Sequence, residues 1–139
     1  MQNRHLAGAI LALATATCTT RAAAHQAFVL STDFETAYYS TLALAPPYGH
    51  NVDIAATCAD AVLRAHGARV YAIGRLGCDF VQTIDAATGA TLDQWSTGNG
   101  TNPHDIELFT ATQAYVSLYD RDYVLVVDPR DGTPLGQIS

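Results

Sequence analysis

The segment Asn102-Pro103-His104-Asp105 places an imidazole next to a carboxylate within four residues. A histidine with a nearby carboxylate can act as a general base or contribute to a transition-metal site. A corresponding segment that also ends in aspartate occurs at Thr57-Cys58-Ala59-Asp60. The sequence therefore gives four candidate binding residues, which are Asn102, His104, Asp105 and Asp60.

A metal centre at His104 would need three or four ligands. His25, His50 and His66 make no ligand-like spacing with one another. The alternative for His104 is a structural role, in which it hydrogen-bonds the backbone of a neighbouring repeat. No metal site, catalytic residue or cofactor is predicted.

Asp120 and Asp122 flank Arg121 in a second polar cluster. Calcium requires about six oxygen ligands, whereas aspartate is common in turns for conformational reasons. We therefore expect both carboxylates to be solvated turn residues. The sequence also contains no Gly-rich phosphate loop, no Gly-x-Ser-x-Gly and no Cys-x-x-Cys.

Cys58 and Cys78 could be paired, or they could be two buried free thiols. Cys58 lies in a linker that enters a predicted strand, and Cys78 lies in the turn joining the next two strands. In an antiparallel meander these two connections emerge at the same end of the sheet, within the Cα separation of a disulfide. The positions favour a disulfide.

A block of sequence occurs nearly three times, about 43 residues apart. Tyr71 aligns with Tyr115, and the block's turn aspartates and glycines, Asp85 with Asp128 and Gly89 with Gly132, are 43 residues apart. A less similar copy begins at Ala27, and its Phe28 lies 43 residues before Tyr71. A period of 40–50 residues with strand content is typical of β-propeller blades.

Within each block, β-branched and aromatic runs alternate with turn signals. The predicted strands are Arg69–Ile73, Phe80–Ile84 and Thr91–Ser96 in one copy, and Ala114–Leu118, Tyr123–Val127 and Pro134–Ile138 in the other. A fourth strand is predicted at Asp60–Arg64 and at Asp105–Phe109. The stretch Cys58–His66 is ambiguous between helix and strand, and the repeat alignment favours strand.

The middle strands are apolar on both faces, as expected for a blade covered by two neighbours. The sequence thus predicts an all-β fold, a partial β-propeller of about two and a half four-stranded antiparallel blades, in which the first blade lacks its inner strand. We interpret the chain as the N-terminal part of a longer propeller; the alternative is a short subunit that closes by oligomerising. Residues 25–139 alone should be poorly soluble or oligomeric, since an uncapped array exposes an apolar face.

The Ala-Tyr-Val strand followed by an Ile/Val-Asp-x-x-Thr/Asp-Gly turn resembles the YVTN-type β-propeller repeats of exported bacterial proteins. The segment from Gly98 to Asp120 is similar to the junctions between such blades. The resemblance covers most of residues 27–139 and implies the fold shared with the heavy chain of quinoprotein amine dehydrogenases. It implies little about activity, because this fold hosts binders, lactonases and oxidoreductase subunits alike.

Residues 1–24 have the layout of a secretory signal peptide. Arg4 precedes a short apolar run from Leu6 to Ala16, and Ala22-Ala23-Ala24 is a small-residue cleavage site. We expect export to the periplasm, cell surface or exterior, with residues 25–139 as the mature domain and no transmembrane segment in it. The alternative is a lipid-modified Cys18, although the preceding residues depart from the usual bacterial lipobox.

Cleavage after residue 24 would remove Arg4 and Arg21 from the seven basic residues and leave five against 13 acidic residues. Such an acidic chain without Lys/Arg clusters is not expected to bind nucleic acid or an anionic membrane surface. The partners left open are an unknown protein or small-molecule ligand, and further blades of the same longer chain.

Two functional hypotheses follow from the sequence. The first is an exported, non-enzymatic propeller that serves as a binding or interaction scaffold. The second is part of a propeller enzyme, a quinoprotein-like oxidoreductase or a lactonase, with an active site on the axial face at residues such as His104 and Asp105. The lack of a catalytic constellation favours the scaffold.

Overall fold

The computed structural model describes residues 25–139, and all regular secondary structure in this range is β-strand. The all-β prediction is therefore confirmed. The signal peptide predicted at residues 1–24 and Cys18 lie outside the described residues. Between His25 and Ser139 there is no helix long and apolar enough to cross a membrane.

The strands form three antiparallel sheets, in each of which sequence neighbours are also spatial neighbours. The first sheet consists of β1 (Gln26–Thr32), β2 (Ala37–Ala43) and β3 (His50–Thr57). The second consists of β4 (Ala61–His66), β5 (Arg69–Gly74), β6 (Phe80–Asp85) and β7 (Thr91–Ser96). The third consists of β8 (Pro103–Thr110), β9 (Gln113–Leu118), β10 (Val124–Val127) and β11 (Pro134–Ile138). None of these three sheets closes on itself.

The predicted strands of the two clear repeats are confirmed to within two residues at each end. The ambiguous stretch Cys58–His66 contains strand β4, as the repeat alignment indicated. The strand predicted at the end of each block pairs with the block that follows, since β4 pairs with β5 and β8 pairs with β9. The first sheet has three strands in the described range, which fits the expected lack of an inner strand.

The turns that follow β6 and β10 have the same construction. In each, the glycine N–H donates to the carbonyl of the aspartate four residues earlier, Gly89 to Asp85 at 2.8 Å and Gly132 to Asp128 at 2.9 Å. Both glycines have positive φ, 72° and 74°, which L side chains rarely adopt. The aspartate carboxylates accept further N–H groups within the turn, so the Asp and Gly of the repeat are explained by local geometry.

The three sheets pack face to face, and the second is buried on both sides. Along β5, Val70 and Ala72 face a core shared with the first sheet, whereas Tyr71 and Ile73 face a core shared with the third. All four side chains are at most 3% exposed. The prediction that a middle strand is apolar on both faces is therefore confirmed for this sheet.

Cys58 and Cys78 form a disulfide, with their Cα atoms 6.2 Å apart and 20 residues of separation. Cys58 lies in the linker before β4, and Cys78 lies in the turn between β5 and β6, as predicted. Gly74, at the end of β5, makes room for this bridge, because a β-carbon there would lie 3.0 Å from Cβ of both cysteines. In the next repeat, Leu118 of β9 corresponds to Gly74, and that repeat has no disulfide.

Candidate functional site

The four candidate residues lie where the second and third sheets begin. Asp60 immediately precedes β4, Asn102 immediately precedes β8, and His104 and Asp105 are near the start of β8. Because β4 and β8 are the first strands of adjacent sheets and are in contact, the candidates lie along one boundary. The repeat thus brings together residues that are more than 40 positions apart in sequence.

Asp60 is held by Arg75, which follows strand β5. Arg75 donates from Nε at 2.9 Å and from Nη2 at 2.5 Å to the same carboxylate oxygen, Oδ1. The Arg75 backbone N–H also donates to the Asp60 carbonyl at 2.7 Å. Both side chains are about a quarter exposed, so the pair is partly desolvated and geometrically fixed.

His104 lies against this pair from the third sheet. Its Nε2 is 3.5 Å from Nη1 of Arg75, and its ring is tilted by 30° against the ring of Tyr119 at a centroid distance of 6.5 Å. The neighbouring repeat therefore reaches His104 through a side chain, whereas the structural alternative drawn from the sequence expected a backbone partner. The arrangement Asp60–Arg75–His104–Tyr119 spans the two sheets.

Asp105 belongs to a separate ion pair with Arg64 of β4, at 2.6 Å. The side chains are 49% and 38% exposed, for arginine and aspartate respectively, so water screens much of their attraction. Asp105 and Asp60 are thus not joined in one carboxylate site. Each carboxylate has its own arginine. The Arg64–Asp105 pair connects the second and third sheets, whereas the Asp60–Arg75 pair lies within the second sheet.

Asn102 acts as a clamp in the linker before β8. Its side-chain oxygen accepts the N–H of Leu76 at 2.9 Å, and its own N–H donates to the carboxylate of Asp79 at 2.8 Å. Its carbonyl accepts the N–H of Tyr119 at 2.9 Å. The residue has φ of 48°, a conformation that asparagine tolerates better than most residues. Asn102 therefore positions the loop beside His104.

The other polar cluster from the sequence is confirmed as solvated. Asp120 and Asp122 are exposed. Arg121 donates to the carbonyls of Gly100 at 2.8 Å and Asn99 at 2.9 Å, so it ties its turn to the linker before β8. Within residues 25–139 there is no group of three or more His, Cys, Asp or Glu side chains that could hold a metal ion.

The carboxyl groups with lowered pKa belong to turns. Hydrogen bonds from the side chain and then the backbone of Arg130 lower the pKa of Asp128 to about 2. The Thr88 hydroxyl and backbone N–H lower the pKa of Asp85, and the N–H groups of Thr36 and Glu35 lower that of Asp33. These shifts have a structural cause and do not mark a catalytic acid or base.

A shallow depression of about 190 Å³ lies on the face of the third sheet that points away from the second. Asp105, Glu107, Tyr115, Ser117 and Val124 contribute to its lining. It is smaller than the roughly 300–1,000 Å³ usual for ligand pockets. It therefore suits a few atoms of a larger partner better than an enclosed small molecule.

Arg75, Arg64, Asp79 and Tyr119 are the contributors to this boundary that the sequence reasoning missed. The sequence could have indicated Arg75, because this arginine lies in a turn that is separated from His104 and Asp105 by only two strands. Pairing it with Asp60 required the strand register, in which Ala61 lies opposite Gly74.

No protein-family model matches the chain, and no curated protein is significantly similar to it in sequence.

Proposed function

We propose that this protein is an exported, non-enzymatic scaffold of the β-propeller type, and that it binds a protein or small-molecule ligand at the boundary formed by Asp60, Arg75, Asn102, His104 and Asp105. The observation that carries the proposal is that the candidate residues already have hydrogen-bond or ion-pair partners. Asp60 and Asp105 are each engaged by an arginine, and Asn102 is engaged by the N–H of Leu76 and by the carboxylate of Asp79.

Such side chains suit recognition better than proton transfer. A general base needs a free lone pair within reach of a substrate proton. Here the carboxylates are already used in ion pairs, whereas fixed pairs of opposite charge give a rigid, charge-balanced surface that discriminates between partners by position. His104 and Tyr119 add aromatic surface beside the Arg75 guanidinium.

The propeller type is supported by the repeat and by the way the sheets stack. Three consecutive meanders pack face to face, and their first strands β1, β4 and β8 contact one another in sequence order. The spacing of about 43 residues and the resemblance to YVTN-type repeats support the same proposal. In a propeller the linker before β8 leads into the innermost strand, so His104 would lie on the axial face.

Export is supported by the disulfide and by the leader-like N-terminus. Disulfides persist in oxidising compartments and are rare in reducing cytosol. Fractionation of cells that produce the full chain should recover it outside the cytoplasm with a mature N-terminus at His25. Recovery in the cytoplasm with Met1 retained would contradict export, and a lipid on Cys18 would replace the soluble form by an anchored one.

The binding role is tested with matched arginine variants. The purified chain is immobilised and exposed to envelope extract of the source cells, as wild type, Arg75→Ala and Arg130→Ala. Arg130 also pairs with an aspartate, Asp128, but in a distant turn. We expect Arg75→Ala to lose a retained partner that Arg130→Ala keeps; equal retention by all three contradicts the proposed surface.

The non-enzymatic part is tested with the same proteins plus His104→Ala. The probes are a simple lactone, and a primary amine with an artificial electron acceptor. We expect no turnover above buffer with any protein. Turnover by the wild type that disappears in His104→Ala would establish the enzymatic alternative.

A further inference from the structure

Two faces of the stack are open, and each carries exposed apolar side chains; on the third sheet Asp105, Glu107 and Ser117 lie on the same face. The outer face of the third sheet presents Phe109, Tyr115, Val124 and Ile138, as the strand register and the Phe109–Tyr115 ring contact show. The outer face of the first sheet presents Ala27, Val29, Tyr38 and Leu42. Phe109 is 66% exposed and Val29 is 49% exposed.

The repeat relates these open faces to the two internal interfaces. Phe28 packs at the interface between the first and second sheets. Tyr71, 43 residues later, packs at the interface between the second and third sheets. Tyr115, a further 44 residues on, occupies the same place on the open face of the third sheet. The third sheet therefore presents the type of face that the next sheet covers in both internal interfaces.

The faces on the other side of the sheets, which meet a preceding sheet, correspond in the same way from repeat to repeat. The residues that meet a preceding sheet are Val70 and Ala72 on β5, and Ala114 and Val116 on β9. Their equivalents on β1, 43 residues before Val70 and Ala72, are Ala27 and Val29. The first sheet therefore presents the type of face that covers a preceding sheet, and its Val29, Tyr38 and Leu42 side chains are exposed.

From this equivalence we propose that the outer face of the third sheet binds the outer face of the first sheet on a second copy of this chain, which continues the stack head to tail. One copy carries both complementary faces, so each molecule can bind two others. Such a heterologous contact produces a ring where the rotation closes, and a filament where it does not. The chain's solution species are then closed rings of two or more copies, or filaments.

Of the boundary that the proposed function uses, Asp105 shares the outer face of the third sheet with this interface. The variants instead change side chains outside that boundary, Phe109 near the opposite end of β8 from Asp105 and Val29 on the first sheet, so either proposal can fail alone. Two variants each disable one face. Phe109→Asp alters the third sheet and Val29→Asp alters the first, at side chains exposed enough for the fold to tolerate the change. Phe34→Asp is the matched control, because Phe34 is 81% exposed in the turn between β1 and β2 and already has positive φ.

The experiment measures molar mass by light scattering across a concentration series of the purified chain with its disulfide intact. Wild type and Phe34→Asp should form oligomers, and each face variant alone should associate at least roughly tenfold more weakly, since an unpaired charge is then buried. Trp95 fluorescence checks that every variant is folded, because Trp95 lies in the core between the second and third sheets.

The decisive step is to mix the two face variants. Phe109→Asp retains an intact first-sheet face and Val29→Asp retains an intact third-sheet face, so the mixture should form a 1:1 complex that grows no further. A wild-type chain that stays monomeric overturns the proposal. So does self-association of either variant alone at wild-type strength, since that would show a like-to-like contact.

Discussion

The α-carbon of Gly132 lies directly against the indole of Trp95. A β-carbon built on Gly132 would be 2.5 Å from Cγ and 2.7 Å from Cβ of Trp95. The same relationship occurs one repeat earlier, where a β-carbon on Gly89 would be 3.2 Å from Cγ2 of Ile54. Each turn glycine is therefore fixed by its φ and by the outer strand of the preceding sheet.

Gly132→Ala should destabilise the protein by about 3–5 kcal/mol, because positive φ and steric overlap act together. Denaturant unfolding followed by Trp95 fluorescence measures the loss. Gly67→Ala is the control, since Gly67 has φ of 60° but no atom within 4 Å of a β-carbon. It should cost only about 1 kcal/mol; equal losses in the two variants would mean that the contact with Trp95 contributes nothing.

Removing the disulfide should lower stability by about 3 kcal/mol, as the chain-entropy account gives for a loop of this size. The double variant Cys58→Ala/Cys78→Ala is compared with the oxidised wild type by denaturant unfolding. Both thiols of the folded, unreduced wild type should resist alkylation. Alkylation of either one in that state would contradict the bridge.

Asp79 fixes the linker that leads from the second sheet to the third. Its buried carboxylate accepts the N–H of Gly100 at 2.7 Å and of Asn102 at 2.8 Å. Asp79→Ala leaves both donors without their partner and should cost about 2–4 kcal/mol. Asp79→Asn keeps one acceptor oxygen and should lose less.

The control for Asp79 is Asp122→Ala, 43 residues later in the same turn of the third sheet. Asp122 is exposed, so its replacement should change stability by no more than about 0.5 kcal/mol. Thermal or denaturant unfolding of the three variants separates these outcomes. Similar losses for Asp79→Ala and Asp122→Ala would contradict the role of the carboxylate as a clamp.

Because of Asp128, the free energy of unfolding should fall at acidic pH. Its folded pKa is about 2, below the ordinary value of 3.8, because Arg130 donates to the carboxylate. A lowered folded pKa means that the unfolded chain binds the proton more readily, so the contribution is complete above about pH 4 and is lost as the pH falls toward 2. In Asp128→Asn the unfolding midpoint should depend less on pH over this window; an unchanged acid slope would contradict the assignment.

The strands and turns of the two clear repeats could be read from the sequence because each has a local cause. Gly89 and Gly132 mark turns that require positive φ, and alternating apolar residues mark strands covered on both faces. Strand β3 was not predicted. Three of its first four residues, His50, Asn51 and Asp53, are polar, and all four are exposed. Asp53 has φ of 49°, and its N–H donates to Ser40 Oγ at 3.1 Å. Pairing with β2 therefore overrides a weak local preference.

The candidate site was only partly predictable. Asp60, Asn102, His104 and Asp105 are brought to one boundary, as the repeat implied, but their partners Arg75 and Arg64 come from strand register and sheet packing. Local sequence does not specify which arginine reaches which carboxylate. The disulfide was predictable because a meander places alternate connections at the same end of a sheet.

The bridge between Cys58 and Cys78 encloses β4 and β5, so it also changes how the chain carries a pulling force. A load applied at the two termini passes through the covalent bridge and bypasses the 19 residues between the cysteines. Roughly 70 Å of extended chain is thereby withheld from the load, at about 3.5 Å per residue. Strand β4, with Asp60 beside it, would then stay paired with β5 even while the neighbouring sheets are drawn apart.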